Sequence, residues 1–184
     1  MITNVLMATE TPAMEMQAET NPDAAKASLN VERLFDAPRE MVFNAWASAT
    51  HMIRWYAPHG CTLSIKSYDF RTGGSFHTGI HGPDGKGCWC VGTFREIEAP
   101  SRIVYTIAIA DSEGHPMTAV QAGMDPEWPE ETVVTVNLEA CDGKPRLTLH
   151  QTVAESLARR TGALPSWLKM LDRLEGLLAD GLVA

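Results

Sequence analysis

Four cysteines are the residues best suited to bind a metal or to act as nucleophiles. Cys88 and Cys90 flank a single tryptophan, while Cys61 and Cys141 are isolated in the chain. Zinc sites usually use cysteines separated by two or more residues, and a Cys-Trp-Cys segment is shorter than that. The pattern therefore predicts reduced thiols in strands and turns.

Histidines give the second possible metal site. His77 and His81 are four residues apart in a segment that is expected to be a strand, so both would point to the same face. At about 3.3 Å per residue their Cα atoms would be about 13 Å apart, too far to share one ion. The sequence predicts no metal site and no cofactor.

Motifs for catalysis are equally scarce. The sequence has no Gly-x-Ser-x-Gly motif, and Arg71-Thr-Gly-Gly is a turn without the helix that a phosphate-binding loop requires. Asp69 or a histidine could serve as a general base, but no acid–base pair stands out. We expect no catalytic residue, so a binding protein is favoured over an enzyme.

Composition and charge restrict the class of partner. The 184 residues are 45% hydrophobic and carry a formal net charge of −8. An acidic chain is poorly suited to nucleic acid or an anionic membrane, which both attract clustered Lys and Arg.

No segment reaches the roughly 20 apolar residues of a membrane span. The first positive side chain is Lys26, which argues against a signal peptide, so a cytoplasmic location is expected.

Residues 1–26 show no sustained periodicity and contain Pro12 and Pro22. We expect a disordered or loosely packed leader there, followed by one domain over 27–184.

Within that domain, alternating apolar residues and short turns predict a meander of antiparallel strands. Two short helices follow the first strand. A change in the alternation between Ile65 and Tyr68 predicts a β-bulge. The predicted strands cover residues 28–35, 62–70, 74–81, 87–98, 102–110, 132–140 and 144–152.

The end of the chain supplies a cover for this sheet. Leucines and Trp167 recur at spacings of three and four from Leu164 to Leu178, which is typical of an amphipathic helix. Pro165 either opens this helix or kinks one that begins near Glu155. The fold class is therefore α+β, with a long C-terminal helix over a sheet of about seven strands.

The order of elements, together with six local motifs, resembles the AHSA1-like branch of the START/SRPBCC (Bet v 1-like) superfamily. The similarity covers about residues 28–180. The motifs are Phe35-Asp-Ala-Pro with Trp46, Trp55-Tyr-Ala-Pro-His-Gly, Asp69-Phe-Arg-Thr-Gly-Gly, Gly92-Thr-Phe-Arg-Glu-Ile with Pro100, Arg146-Leu-Thr-Leu, and Trp167-Leu through Leu174.

This resemblance implies a helix-grip fold, in which a curved sheet and the last helix enclose a cavity. Relatives bind small apolar or amphipathic molecules there, a few act as polyketide cyclases or hydrolases, and one branch stimulates the chaperone Hsp90. Where Hsp90 activators have a separate chaperone-binding domain, this chain has only its short leader. We therefore expect a small apolar or amphipathic ligand, with an enzyme and a chaperone-binding module as alternatives.

Aromatic residues are spread over every element around the expected cavity. As a set they predict apolar walls with a few polar groups to orient a ligand. The connection 111–131 is expected to be either a lid over the cavity mouth or a loop packed on the sheet rim. A monomer and a homodimer are both compatible with the sequence. The candidate lining residues are Trp46, Trp55, Tyr56, Phe70, Phe76, His77, Trp89, Tyr105, Trp128, Trp167 and Leu171.

Overall fold

The structure is a computed structural model that describes residues 27–181, so the predicted leader lies outside the described part. Its elements follow the order that the sequence predicts: one strand, two short helices, six strands and a helical C-terminal segment. In chain order they are β1 (Ser28–Leu34), α1 (Arg39–Ala47), α2 (Ala49–Trp55), β2 (Thr62–Tyr68), β3 (Ser75–His81), β4 (Gly87–Glu98), β5 (Arg102–Ala110), β6 (Glu131–Cys141), β7 (Lys144–Ala154), α3 (Glu155–Arg160) and α4 (Ala163–Ala179).

All seven strands belong to one antiparallel sheet in the order β1-β7-β6-β5-β4-β3-β2. Strands β2 to β7 run as a meander, and β1 pairs with β7 at the far edge. The register between β2 and β3 shifts between Ile65 and Ser67, which confirms the predicted bulge. The expected α+β helix-grip architecture is confirmed.

One face of the sheet, the inner face, packs against the helices. Val134, Val136, Leu147 and Leu149 point to it and are almost completely buried. They alternate along β6 and β7 with partly exposed residues, as expected for a sheet with one covered face.

Helix α4 is the principal cover of the inner face. Trp167, Leu171 and Leu174 are buried in the core, at the spacing that places them on one side of a helix. The left-handed backbone of Gly162 (φ +82°) separates α3 from α4. Pro165 therefore lies in the first turn of α4, where its missing N–H costs no hydrogen bond.

Polar contacts fix α4 at both of its sides. Arg173 Nη1 donates to Ala57 O at 2.7 Å and Nη2 to Arg54 O at 2.8 Å, so this guanidinium caps the end of α2. Arg33 on β1 pairs with Asp172 (2.7 Å) and Glu175 (2.8 Å) on the solvent side of α4. The helix is thus held over the sheet by contacts outside the core as well as within it.

None of the helices in residues 27–181 has the length and apolar character needed to cross a lipid bilayer.

Candidate functional site

A cavity of about 150 Å³ lies between the inner face of the sheet and the first turns of α4. We call it the main cavity. Its walls come from β3, β4 and β5, from the end of α2, from α4 and from the 111–130 connection. The lining residues are Tyr56, Phe76, Thr78, Ile80, Cys88, Cys90, Ile107, Trp128, Gln151, Ala163, Ser166, Trp167 and Met170.

A second space, the inner chamber, lies deeper and shares Tyr56, Phe76 and Thr78 with the main cavity. Its volume is only about 10 Å³, which is room for about one water molecule or one oxygen atom. Its other walls are Trp46, Met52, Tyr68, Phe94 and Tyr105.

Strand alternation explains which side chains reach these spaces. Phe76, Thr78 and Ile80 are two residues apart on β3, and Cys88 and Cys90 are two apart on β4. Thr78 pairs with Cys90 across the strands, and Ile80 pairs with Cys88. The four side chains therefore form one patch of the cavity wall.

A hydrogen-bonded chain closes one side of the main cavity. Trp167 Nε1 donates to Gln151 Oε1 at 2.9 Å, and Gln151 Nε2 donates to Thr132 Oγ1 at 2.9 Å. All three residues are buried. Because both ends of the Gln151 amide are used within the protein, this amide fixes the Trp167 ring and has only one N–H and one acceptor lone pair left for a ligand.

Tyrosine hydroxyls dominate the polar part of the inner chamber. The hydroxyls of Tyr56 and Tyr105 are 3.1 Å apart, and Tyr68 donates to Trp46 O at 2.6 Å. Burial raises the pKa of all three tyrosine hydroxyls above the ordinary value of about 10, and for Tyr56 the contact with Tyr105 adds to the rise. At neutral pH these groups are hydrogen-bond donors and acceptors, not bases.

One buried donor in the inner chamber lacks a well-formed hydrogen bond. Trp46 Nε1 has no partner at normal hydrogen-bond geometry within the described residues, although it lies near the Tyr105 hydroxyl. It still approaches Tyr105 closely enough to offset part of the rise that burial causes in the pKa of that hydroxyl. An unpaired buried N–H costs about 1–3 kcal/mol, so an acceptor atom at this point would be stabilised.

The tyrosine pKa values predict a specific dependence of stability on pH. Above pH 10 the unfolded chain loses hydroxyl protons that the folded chain retains, so these tyrosines add no pH dependence to folding stability well below that pH and lower the stability above it. Three such groups together lower the free energy of unfolding by up to about 4 kcal/mol per pH unit. Urea unfolding between pH 8 and 11 measures this, and Tyr56→Phe is expected to make the decline shallower by about 1.4 kcal/mol per unit. An identical slope in both proteins would contradict the assignment.

The structure brings together six of the eleven sequence-predicted residues. Trp46, Tyr56, Phe76, Tyr105, Trp128 and Trp167 line the main cavity or the inner chamber.

Trp55 and Leu171 lie elsewhere, within the packed core, and the partly buried Phe70 packs against that core. Trp55 and Leu171 are fully buried, and the Trp55 ring donates to Ala45 O at 3.0 Å. Phe70 packs edge-on against Phe43 and Phe94. Their large apolar surfaces are satisfied by protein atoms, so the expectation that they line the cavity does not match their positions.

His77 and Trp89 lie on the outer face of the sheet, opposite the cavity. His77 is one residue from Phe76 and Trp89 one residue from Cys88, so strand alternation turns both side chains away. Their ring centroids are 5.0 Å apart with the ring planes tilted by 58°, and His77 Nε2 donates to Asp111 O at 3.2 Å. The expectation that they line the cavity is wrong for this reason.

Alternation along β3 and β4 could have identified the wall residues that the sequence analysis missed. Thr78 and Ile80 follow Phe76 at steps of two, and the two cysteines share that face. Gln151, Ser166 and Met170 carry no comparable indication, because their positions depend on where α4 crosses the sheet.

The connection between β5 and β6 reaches the cavity mouth. Trp128 lines the main cavity, and Arg160 on α3 holds the neighbouring segment by pairing with Asp125 at 2.8 Å and with Glu127. The ends of the connection pack on the sheet rim, where Met117 N donates to Ile109 O at 2.9 Å. Trp128 of this connection therefore lines the main cavity, while the part that follows β5 packs on the sheet rim.

Two larger depressions are open to solvent. One, of about 550 Å³, lies between the turns at 35–39 and 140–145, and the other, of about 380 Å³, lies on the outer face beside His77. Neither is enclosed between the sheet and a helix, and the first is bordered by charged turn residues. The main cavity is smaller than either depression, but its lining is more apolar and it lies between the sheet and α4.

Fold and cavity together define a helix-grip α+β domain with an internal apolar site. Residues 36–179 match the profile of the family described as Activator of Hsp90 ATPase homolog 1-like protein. The chain belongs to this AHSA1-like family, within the START/SRPBCC superfamily.

Solved structures agree with the fold. A protein from Arthrobacter aurescens superimposes with a TM-score of 0.73 at 22% identity, over 87% of this chain and 90% of that one. A Staphylococcus epidermidis protein gives 0.70 at 24% identity, over 85% and 92% of the two chains. The AHSA1 protein from Silicibacter pomeroyi gives 0.65 at 19% identity, over 83% and 98%. No curated protein matches the sequence.

Proposed function

We propose that this chain binds a small apolar molecule with one hydrogen-bond acceptor in the main cavity. The observation that supports this most directly is the apolar volume of about 150 Å³ beneath α4, walled by Trp128, Trp167 and Phe76. Apolar cavities of about this size bind benzene-sized molecules in other proteins. The ligand class is therefore a compact, ring-containing molecule of roughly six to ten heavy atoms.

The volume also restricts what the cavity can accept. Pockets for drug-sized ligands measure about 300–1,000 Å³, so a sterol or a polyketide does not fit here as the side chains stand. The inner chamber adds room for a single oxygen atom, adjacent to the unpaired Trp46 Nε1. A ring bearing a carbonyl oxygen would fill both spaces and satisfy that donor.

Calorimetric titration with toluene and acetophenone tests the proposal. Both have a suitable ring, but only acetophenone supplies an acceptor, so we expect it to bind about 5–10-fold more tightly than toluene. For ligands of this size the dissociation constant should lie at about 10 µM to 1 mM. A sixteen-carbon fatty acid should not bind.

A pair of substitutions on α4 locates the binding. Ala163→Phe places a ring in the main cavity and should weaken acetophenone binding at least about 10-fold, because the ligand and the new ring compete for the same volume. Ala179→Phe makes the same change at the exposed end of the same helix and should leave binding unchanged. Equal affinity in the two variants, or a wild-type chain that binds neither probe, would contradict the proposal.

The two alternatives from the sequence have less support. The lining of the main cavity contains no carboxylate and no imidazole among the described residues, so acid–base chemistry of the cyclase type lacks its usual groups there. The family description mentions Hsp90, and a chaperone-binding surface is expected to show a contiguous exposed apolar patch. In the described part, the large exposed apolar side chains are instead spread over separate segments of the chain: Leu34, Ile53, Val120 and Leu168.

A further inference from the structure

Three sulfur atoms meet at the edge of the main cavity. Cys88 Sγ lies 4.0 Å from Cys90 Sγ and 3.9 Å from Met124 Sδ. We call these three residues the sulfur cluster. Cys88 and Cys90 project from the inner face of β4, and Met124 belongs to the connection between β5 and β6.

The two separations from Cys88 match the sulfur–sulfur spacing of a three-coordinate metal site. With metal–sulfur bonds of about 2.3 Å, as in zinc thiolates, an ion in the plane of three sulfurs holds them about 4.0 Å apart. The two distances from Cys88 are within about 0.1 Å of that spacing. Two of the three sulfur–sulfur spacings that such an ion requires are therefore already in place.

Neighbouring contacts hold the sulfurs where they are. Strand β4 pairs on both sides, with β3 and with β5, so the two thiols have a fixed spacing. Met124 N donates to Ala119 O at 2.8 Å, and Arg160 pairs with the adjacent Asp125 at 2.8 Å. The thioether is thus fixed from the loop side independently of the strand.

A disulfide fits this geometry less well than a metal. Residues two apart on a strand have Cα atoms about 6.6 Å apart, near the upper limit for a disulfide, and the sulfurs would have to approach from 4.0 Å to about 2.05 Å.

The ligand set selects a soft ion of low coordination number. Within residues 27–181 no three His, Cys, Asp or Glu side chains are grouped so as to hold a metal. A structural zinc site, which takes four such ligands, is therefore not available here. Two thiolates and one thioether are the ligands that favour Cu(I).

We propose that Cys88, Cys90 and Met124 form a binding site for one Cu(I) ion at the edge of the main cavity. The ion replaces the proton of each thiol, so two protons are released per ion, and Met124 donates a sulfur lone pair without losing a proton. No oxidant or reductant takes part. This site goes beyond the proposed binding of an apolar molecule and does not depend on it.

Competition with the chelator bicinchoninic acid measures the Cu(I) affinity of the site. The full chain is used after reduction and under anaerobic conditions. We expect one Cu(I) per chain by native mass spectrometry and the release of two protons per ion. Cys88→Ser and Cys90→Ser should each weaken Cu(I) binding at least about 100-fold, and Met124→Leu about 10-fold, since loss of a ligand costs at least as much as loss of a supporting contact. Cys61→Ser and Cys141→Ser remove thiols from other parts of the chain and should change the affinity less than about twofold.

Thermal unfolding with Ag(I), a redox-inert substitute, checks the same site in folded protein. One equivalent should raise the midpoint of wild type and of Cys61→Ser but not that of Cys88→Ser. Met124→Leu alters a half-buried loop residue, which keeps the test available if a strand variant fails to fold.

A wild-type affinity equal to that of the Cys88→Ser and Met124→Leu variants would overturn the proposal, as would retention of Zn(II) in preference to Cu(I). Failure to bind toluene or acetophenone would affect only the proposed function.

Discussion

Gly92→Ala is expected to destabilise the domain by at least about 3 kcal/mol, or to prevent folding altogether. A Cβ atom on Gly92 would lie 1.9 Å from Thr106 O and 2.3 Å from Phe76 Cζ. The first of these atoms belongs to the backbone of β5, so relief requires the β4–β5 ladder to open. The second belongs to a ring shared by the main cavity and the inner chamber.

Gly176→Ala is the matched control for this substitution. Gly176 is in α4, is exposed, and has no atom within 4 Å of the added Cβ. Alanine in a helix is more stable than glycine by about 0.8–1.0 kcal/mol, so this variant should be more stable than wild type. Urea unfolding of the two variants measures both effects. Equal free energies of unfolding would show that the close approach at Gly92 is not real.

Leu171→Ala is expected to cost about 3–4 kcal/mol, which is the second large effect. Leu171 is fully buried in the core beneath α4, and its truncation leaves a void that rigid neighbours cannot fill. The same denaturation experiment measures this loss.

Leu168→Ala makes the same change three residues earlier on α4, where the side chain is 40% exposed. It should cost less than about 1 kcal/mol, because less apolar surface is lost and no closed void forms. A reversal of the two costs would mean that α4 turns a different side to the sheet.

Periodicity predicted most of the fold because burial imposes it directly. The leucines of α4 recur at three and four, and Val134, Val136 and Leu138 recur at two, since one side of each element must avoid water. The bulge near Ile65 was also visible as a change of phase. The division between α3 and α4 was ambiguous because Gly162 and Pro165 can each interrupt a helix.

The candidate site was less predictable, since a cavity is the volume that packing leaves unfilled. Aromatic character gave no means of separating Trp128 and Trp167, which line the main cavity, from Trp55, which neighbouring groups bury completely. The face of the sheet on which His77 and Trp89 lie could be predicted only after the strand register was assigned. The sulfur cluster joins β4 to a residue more than thirty positions away, a proximity that no local pattern contains.

A crystal structure after soaking with iodobenzene gives the most direct test of the main cavity. The anomalous signal of iodine should appear between Trp128 and Trp167 in wild type and in Ala179→Phe, and it should be missing from Ala163→Phe. Side chains that fill this volume in the wild-type crystal, with no iodine beneath α4, would contradict the account.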